Sequence, residues 1–357
     1  MNGRSSSSGS AKCPFGWREA FSFGLALLRT AREGRPSFAW SSLDRLRSAE
    51  PEQLPDRRHF TASDGARIAF RSYGPASAMQ LVLIHGSACY AEQLHLLARH
   101  ISDLGLAQVH TLDMRGHGAS ADFPDDCLRY GEDVLEFCAA LKAKNPACRL
   151  VVGGHSAGGG LAINIARRPG AKLVSGWLLL APFMAMTDRT TRPYFGGWVE
   201  DFAWIRLALV GFANALGITC FNCHPLVRFH RGAARVSPRF ARSWPFSAVL
   251  GFGPGSVRAG DDVFGGAPAL LVCGEQDECF AAQHYAGTFA RLAPQGVVRL
   301  FEGLGHWDVL ADRAALTEVA AWMAVNFGHV AQRPEAAAGR TGEKIAETGN
   351  DWNVRIA

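Results

Sequence analysis

The chain has 357 residues, 48% of them hydrophobic and 19% charged, with a formal net charge of +5. That is enough apolar material for one large domain carrying an insertion, and the charge is too small to point to a nucleic-acid partner. Nine cysteines, an odd number scattered through apparent strands and helices, read as reduced thiols of a cytoplasmic protein rather than a disulfide scaffold.

Residues 1–55 form an N-terminal extension. Its first twelve residues are Ser/Gly-rich and expected to be disordered. The apolar run "FSFGLALL" is too short to span a bilayer. An amphipathic segment resting on a membrane surface is one reading of residues 17–32. Next, "RRHFTASDGARIAFRSYG" is two alternating runs joined by Asp64-Gly65, a hairpin signal. "QLVLIHG" and "QVHTLDM" are continuous apolar runs that suit strands buried on both faces, with a helical stretch around 91–104 between them. Val134, Phe137, Cys138 and Leu141 fall at helical spacing. "RLVVGG" is a strand, 157–168 a helix and "LVSGWLLLAP" a strand.

Residues 183–266 break the alternation. They are rich in aromatics and read as a helical cap insertion. "ALLVCGEQD" and "VVRLFEG" then resume the strands, and Leu316, Val319, Ala320 and Met323 mark a last helix. Strands alternating with helices predict an α/β fold: a mostly parallel doubly wound sheet with an antiparallel hairpin at the N-terminal edge. Its core covers 56–182 and 267–330. Residues 331–357 read as a disordered tail.

The chemistry centres on Gly154-His155-Ser156-Ala157-Gly158, a G-x-S-x-G between a strand and a helix. A serine on so tight a turn needs glycine two residues to either side, where side chains would collide. A serine hydroxyl needs a base, and the base an orienting carboxylate. Of twelve histidines, His306 lies in a Gly-rich loop after the last strand, whereas His95 and His100 read as residues of a surface helix. Asp277 leaves the end of the preceding strand; Glu275 and Glu278 are the alternates. Two backbone N–H donors are required for a developing oxyanion. Ala157 supplies one and Ser87, after "LVLIHG", is the candidate for the other, with His85 and Gly86 supporting that loop.

On "LIHG" (83–86), "DMRGHGAS" (113–120), "GHSAGGG" (154–160), "CGEQD" (273–277) and "GLGHW" (303–307), the chain resembles the α/β-hydrolase superfamily, within it the serine hydrolases that include monoacylglycerol lipases and lysophospholipases. The resemblance spans about residues 56–330. It implies the α/β-hydrolase fold, a lid-type cap where the aromatic insertion sits, and a structural role for the Asp113–Ser120 turn.

The cap's Trp198, Phe202, Trp204, Leu207, Leu209 and Phe212 could line an acyl pocket or form the cap's own core. Six arginines between Pro225 and Arg258 could hold an anionic head group. A lipid-like monoester, a monoacylglycerol or lysophospholipid, is the expected substrate. An acyl thioester, acyl transfer to an alcohol, a peptidase and a non-catalytic binding protein are the alternatives. No cofactor or metal is expected. Membrane contact is considered for the N-terminal segment and the cap. Cys220-Phe221-Asn222-Cys223-His224 matches C-x-x-C-H, but ordinary buried or half-buried thiols are the expectation.

Overall fold

The structure is a computed structural model, and it describes residues 41–48, 53–232, 237–254, 262–328 and 351–352. The N-terminal readings for 1–12 and 17–32 lie outside them, as does most of the tail.

Helix α1 (Ser41–Ser48) precedes the hairpin β1 (Arg57–Thr61) and β2 (Arg67–Tyr73). The turn at Asp64-Gly65 is closed by the Asp64 carboxylate, which accepts from the Ala66 N–H, and Gly65 takes a φ of 86°. Then come β3 (Met79–Ile84), α2 (His95–Asp103), β4 (Gln108–Leu112), α3 (Arg129–Lys144), β5 (Arg149–His155), α4 (Ala157–Ala166) and β6 (Gly176–Leu180). After the insertion the chain resumes with β10 (Ala269–Gly274), α7 (Tyr285–Leu292), β11 (Val297–Phe301) and α8 (Arg313–Phe327). The sheet order is β11-β10-β6-β5-β3-β4-β2-β1, with Asp351–Trp352 of the tail (β12) beside β1. β2 runs antiparallel to both β1 and β4; the pairs from β4 across to β11 are parallel. Strands β3, β6 and β10 are buried along their whole length, as a sheet covered on both faces demands.

This order places a topological switch between β3 and β5, since β4 lies to one side and β6 to the other. In open α/β sheets the crevice outside such a switch is where ligands bind. The register Ile84↔Gly154 sets the loops leaving β3 and β5 side by side. Gly274↔Phe301 does the same for the loops leaving β10 and β11.

Between β6 and β10 the chain leaves the sheet. The expectation of a helical insertion is corrected here. It contains β7 (Val199–Phe202), α5 (Trp204–Ala215), β8 (Pro225–Phe229), β9 (Ser243–Pro245) and α6 (Phe246–Gly251), and the strands form an antiparallel sheet β7-β8-β9. The reason is visible in the strands: Val199 and Phe202, then Leu226, Val227 and Phe229, bury one side while their polar neighbours stay outward. His95 is corrected too: it is buried, its Nδ1 3.3 Å from the Tyr73 hydroxyl.

Candidate active site

Ser156 sits between β5 and α4 at φ 55° and ψ −119°, a conformation that costs free energy for any residue but glycine. The flanking glycines make it sterically possible. A Cβ on Gly154 would lie 2.2 Å from the Gly158 backbone, and one on Gly158 would lie 2.4 Å from the Ile84 carbonyl. The turn is pinned to the next strand: the Ser156 N–H donates to Leu180 O, and the Phe183 N–H donates to Ser156 O, both at 2.9 Å. Helix α4 starts directly beneath, so its unpaired N–H groups and positive dipole end face the serine's side of the sheet.

Asp277 and His306 are both buried, and they meet. Asp277 Oδ2 lies 2.8 Å from His306 Nδ1, while Oδ1 accepts the N–H groups of Cys279 and Phe280 at 2.7 Å each. A carboxylate in this position places the imidazole proton on Nδ1, which makes Nε2 the acceptor nitrogen. The Cys273 thiol, 3.5 Å away, donates to the same Oδ2. Of the alternates, Glu275 is exposed. Glu278 is neither a solvated charge nor the His306 partner: it accepts the His306 backbone N–H at 2.6 Å. The two loops approach closely because Gly274 has no side chain; a Cβ there would lie 2.1 Å from Leu304 O.

His155 ties the two halves together, a role the motif's variable position did not disclose. Its Nε2–H donates to the His306 carbonyl at 3.0 Å, and the two ring centroids lie 4.6 Å apart with the planes tilted by 43°. Burial holds its imidazole neutral, well below the ordinary histidine range.

The loop after β3 is held from beneath. His85 Nε2 accepts the Met114 N–H at 3.0 Å, so Nδ1 carries the proton and donates to Gly86 O at 2.8 Å. Burial lowers the His85 pKa to about 4, which keeps this acceptor neutral. Asp113 braces the same region, accepting from the N–H groups of Ala91 and Ala119. Gly86 packs against the serine, with a Cβ there falling 3.1 Å from Ser156 Cβ. Trp198 Nε1 donates to Ser87 Oγ at 2.8 Å. Insertion and core thus meet at the candidate oxyanion loop.

Ser87, Ser156 and Ala157 line one cavity of about 620 Å³. Its apolar wall includes Phe183, Phe195, Trp198, Phe202 and Phe252, and three guanidiniums, Arg167, Arg168 and Arg291, also line it. Of the six insertion residues considered for an acyl pocket, Trp198 and Phe202 line the cavity; Trp204, Leu207, Leu209 and Phe212 do not. The described arginines among those considered for an anion are also elsewhere. Arg228 pairs with Asp201, Arg239 with Glu92, and neither they nor Arg231 or Arg242 line the cavity; Arg235 and Arg258 lie outside the described residues.

Asp277, Cys279 and His306 are the one group of potential metal ligands among the described residues. Their donors are already committed: both Asp277 oxygens accept hydrogen bonds, and burial raises the Cys279 pKa well above the usual thiol value. Cys220 and Cys223 are free thiols, as expected, but exposed rather than buried or half-buried. Cys127 departs from the all-thiol reading in being disulfide-bonded.

A family model described as serine aminopeptidase, S33, matches residues 75–216. A monoglyceride lipase from Saccharomyces cerevisiae superimposes with a TM-score of 0.62 over 78% of this chain and 97% of its own, at 18% identity. The chain has the α/β-hydrolase fold. Among the curated relatives, a non-heme haloperoxidase from Rhodococcus erythropolis is 25% identical over 69% of this chain and 91% of its own. A monoacylglycerol lipase from Mycolicibacterium smegmatis is 32% identical over 31% of this chain and 41% of its own. The family match ends before Asp277 and His306, so their candidate roles rest on geometry.

Proposed function

We propose that the protein is a serine hydrolase that cleaves a carboxylic ester of lipid-like character through an acyl-serine intermediate. Ser156 Oγ attacks the ester carbonyl as His306 Nε2 takes its proton. Asp277 holds the imidazole in the required tautomer and balances its charge. The N–H groups of Ser87 and Ala157 receive the oxyanion. The same His306 proton then passes to the departing alkoxide. Water, deprotonated by His306, releases the acid and restores Ser156.

The observation that carries this reading is that Ser156, on its strained turn, opens onto a largely apolar cavity also lined by Ser87 and Ala157. The insertion acts as its cap. An acyl chain fits the aromatic wall, and the three guanidiniums suit a polar or anionic head group. An amine-binding peptidase is disfavoured. Among the described residues Asp188 is the sole carboxylate lining the cavity, and it already accepts from Thr288 Oγ1 and pairs with Arg291. A thioester or an alcohol acceptor would use the same groups.

Membrane contact through the cap belongs to the same proposal. Ile205, Leu209 and Phe212 on α5 and Leu216 at its C-cap recur at spacings of four, three and four and are 80%, 64%, 66% and 63% exposed. An exposed apolar stripe of this kind suits a lipid interface. No helix among the described residues is long and apolar enough to cross a membrane.

The test is a hydrolysis panel of p-nitrophenyl esters, monoacylglycerols, lysophospholipids, acyl-CoAs and aminoacyl anilides. Fluorophosphonate labelling should map to Ser156 and vanish in Ser156→Ala. Asp277→Asn should cost on the order of 10⁴-fold in kcat. Labelling that persists in Ser156→Ala overturns the nucleophile, and a preference for short water-soluble esters overturns the lipid reading.

A further inference from the structure

Helix α1 precedes the hydrolase sheet and lies before the stretch matched by the family model, yet it packs on the loop carrying His306. Ser42 and Leu43 are buried there. Ser42 Oγ donates to Glu278 Oε1 at 2.8 Å and accepts the Trp307 N–H at 3.4 Å. Arg45 forks onto Asp308, with Nε 2.8 Å from Oδ1 and Nη2 on Oδ2.

The two carboxylates that α1 reaches are the two that hold the backbone of the candidate base. Glu278 Oε2 accepts the His306 N–H at 2.6 Å, and Asp308 Oδ2 accepts the Gly305 N–H at 2.7 Å. Gly303 and Gly305 flank Leu304, and Gly303 sits at φ 77°, so intrinsic backbone preference does little to fix this loop. Each carboxylate is therefore a bridge: Glu278 takes the loop on Oε2 and α1 on Oε1, while Asp308 Oδ2 accepts from both the loop and Arg45, and Oδ1 from Arg45 alone. A bidentate Arg–carboxylate contact fixes orientation as well as distance.

We propose that α1 is a positioning element of the catalytic apparatus. In this role Ser42 and Arg45 lock Glu278 and Asp308, and these set the height and angle of the His306 loop against Ser156. Neither residue touches substrate; both act through the loop. This rests on the catalytic reading of Ser156, Asp277 and His306 given above. It assigns a purpose to part of an extension that the hydrolase core does not require for its sheet.

The test uses the full chain with Arg45→Met, Arg45→Lys and Ser42→Ala. The Arg45 side chain is 54% exposed, so its replacement should leave the fold intact. Three readouts are needed: kcat and KM on the best ester of the panel, the rate of fluorophosphonate labelling at Ser156, and hydrogen exchange across 303–308. Arg45→Met should lower kcat and labelling roughly 3- to 30-fold with KM within about twofold, as misplacement of a catalytic group does. Exchange at Gly305 and His306 should quicken. Lysine, which keeps the charge but loses the fork, should give intermediate values in all three. Unchanged exchange overturns the clamp. Faster exchange with unchanged kcat and labelling overturns its catalytic role. Absence of labelling at Ser156 in the wild type overturns the serine-hydrolase reading instead, and the exchange result still decides whether α1 holds the loop.

Discussion

The His155 imidazole donates from Nε2 to the backbone carbonyl of His306 at 3.0 Å. Residues 151 positions apart are thereby joined, one beside the candidate nucleophile and one the candidate base. His155→Phe keeps the ring and removes the donor. The orphaned, buried carbonyl should cost about 1–3 kcal/mol of stability, seen as a lower midpoint in urea. Ser156 labelling should slow as the loop loses its register. A variant with unchanged midpoint and labelling would show that the bond is dispensable.

The turn around Ser156 tolerates no side chain at its second glycine. In Gly158→Ala the new methyl would fall 2.4 Å from Ile84 O and 2.5 Å from His85 O. Both are backbone atoms of β3 and its exit loop and cannot swing aside. The expected loss is about 3 kcal/mol or more, measured by chemical denaturation, with loss of Ser156 labelling in any folded fraction.

Stability should fall as pH drops from about 6.5. Burial lowers the pKa of His85 to about 4 and of His110 and His117 to about 3. Each acts as a neutral group in the fold: His110 bridges Ser72 and Gln80, and His117 Nε2 accepts from Trp244 Nε1. Between the lowered and ordinary values the unfolded chain binds more protons, so stability rises with pH across that window. Each imidazole adds a slope of about 1.4 kcal/mol per pH unit there. Denaturation midpoints from pH 5 to 7.5 measure it, and His110→Gln should reduce the slope by one imidazole's share. An unaltered slope would mean that His110 carries a proton in the folded protein.

The apolar stripe on α5 can be separated from the chemistry. Leu209→Glu with Phe212→Glu places two charges on the exposed face, opposite the buried Leu207 and Val210. Binding to phosphatidylcholine vesicles in a flotation assay should fall at least about tenfold, since insertion of these side chains contributes about 1.5–3 kcal/mol each. Turnover of a water-soluble p-nitrophenyl ester should stay within about twofold. Equal vesicle binding by variant and wild type would remove the membrane from the list of partners.

Much of the protein was legible from its residues alone. The alternation of apolar strands with helical patterns defined the parallel sheet. Gly154, Ser156 and Gly158 between a strand and a helix defined the turn, because sterics at such a turn exclude other residues. Local rules carry that information. Asp277 could be preferred over Glu275 and Glu278, but its hydrogen bond to His306 is a contact between loops, and sequence spacing cannot decide it. The same limit applied to the insertion, whose strands pair with one another rather than with near neighbours. It applied to the cavity's cations as well. The described arginines of 225–258 (Arg228, Arg231, Arg239 and Arg242) turn elsewhere, and Arg167, Arg168 and Arg291 line the cavity through where α4 and α7 happen to end. Composition and periodicity set which elements form and which faces are buried. Which loops converge, and whether α1 reaches the His306 loop, depends on register and packing between distant segments, and only the folded chain settles these.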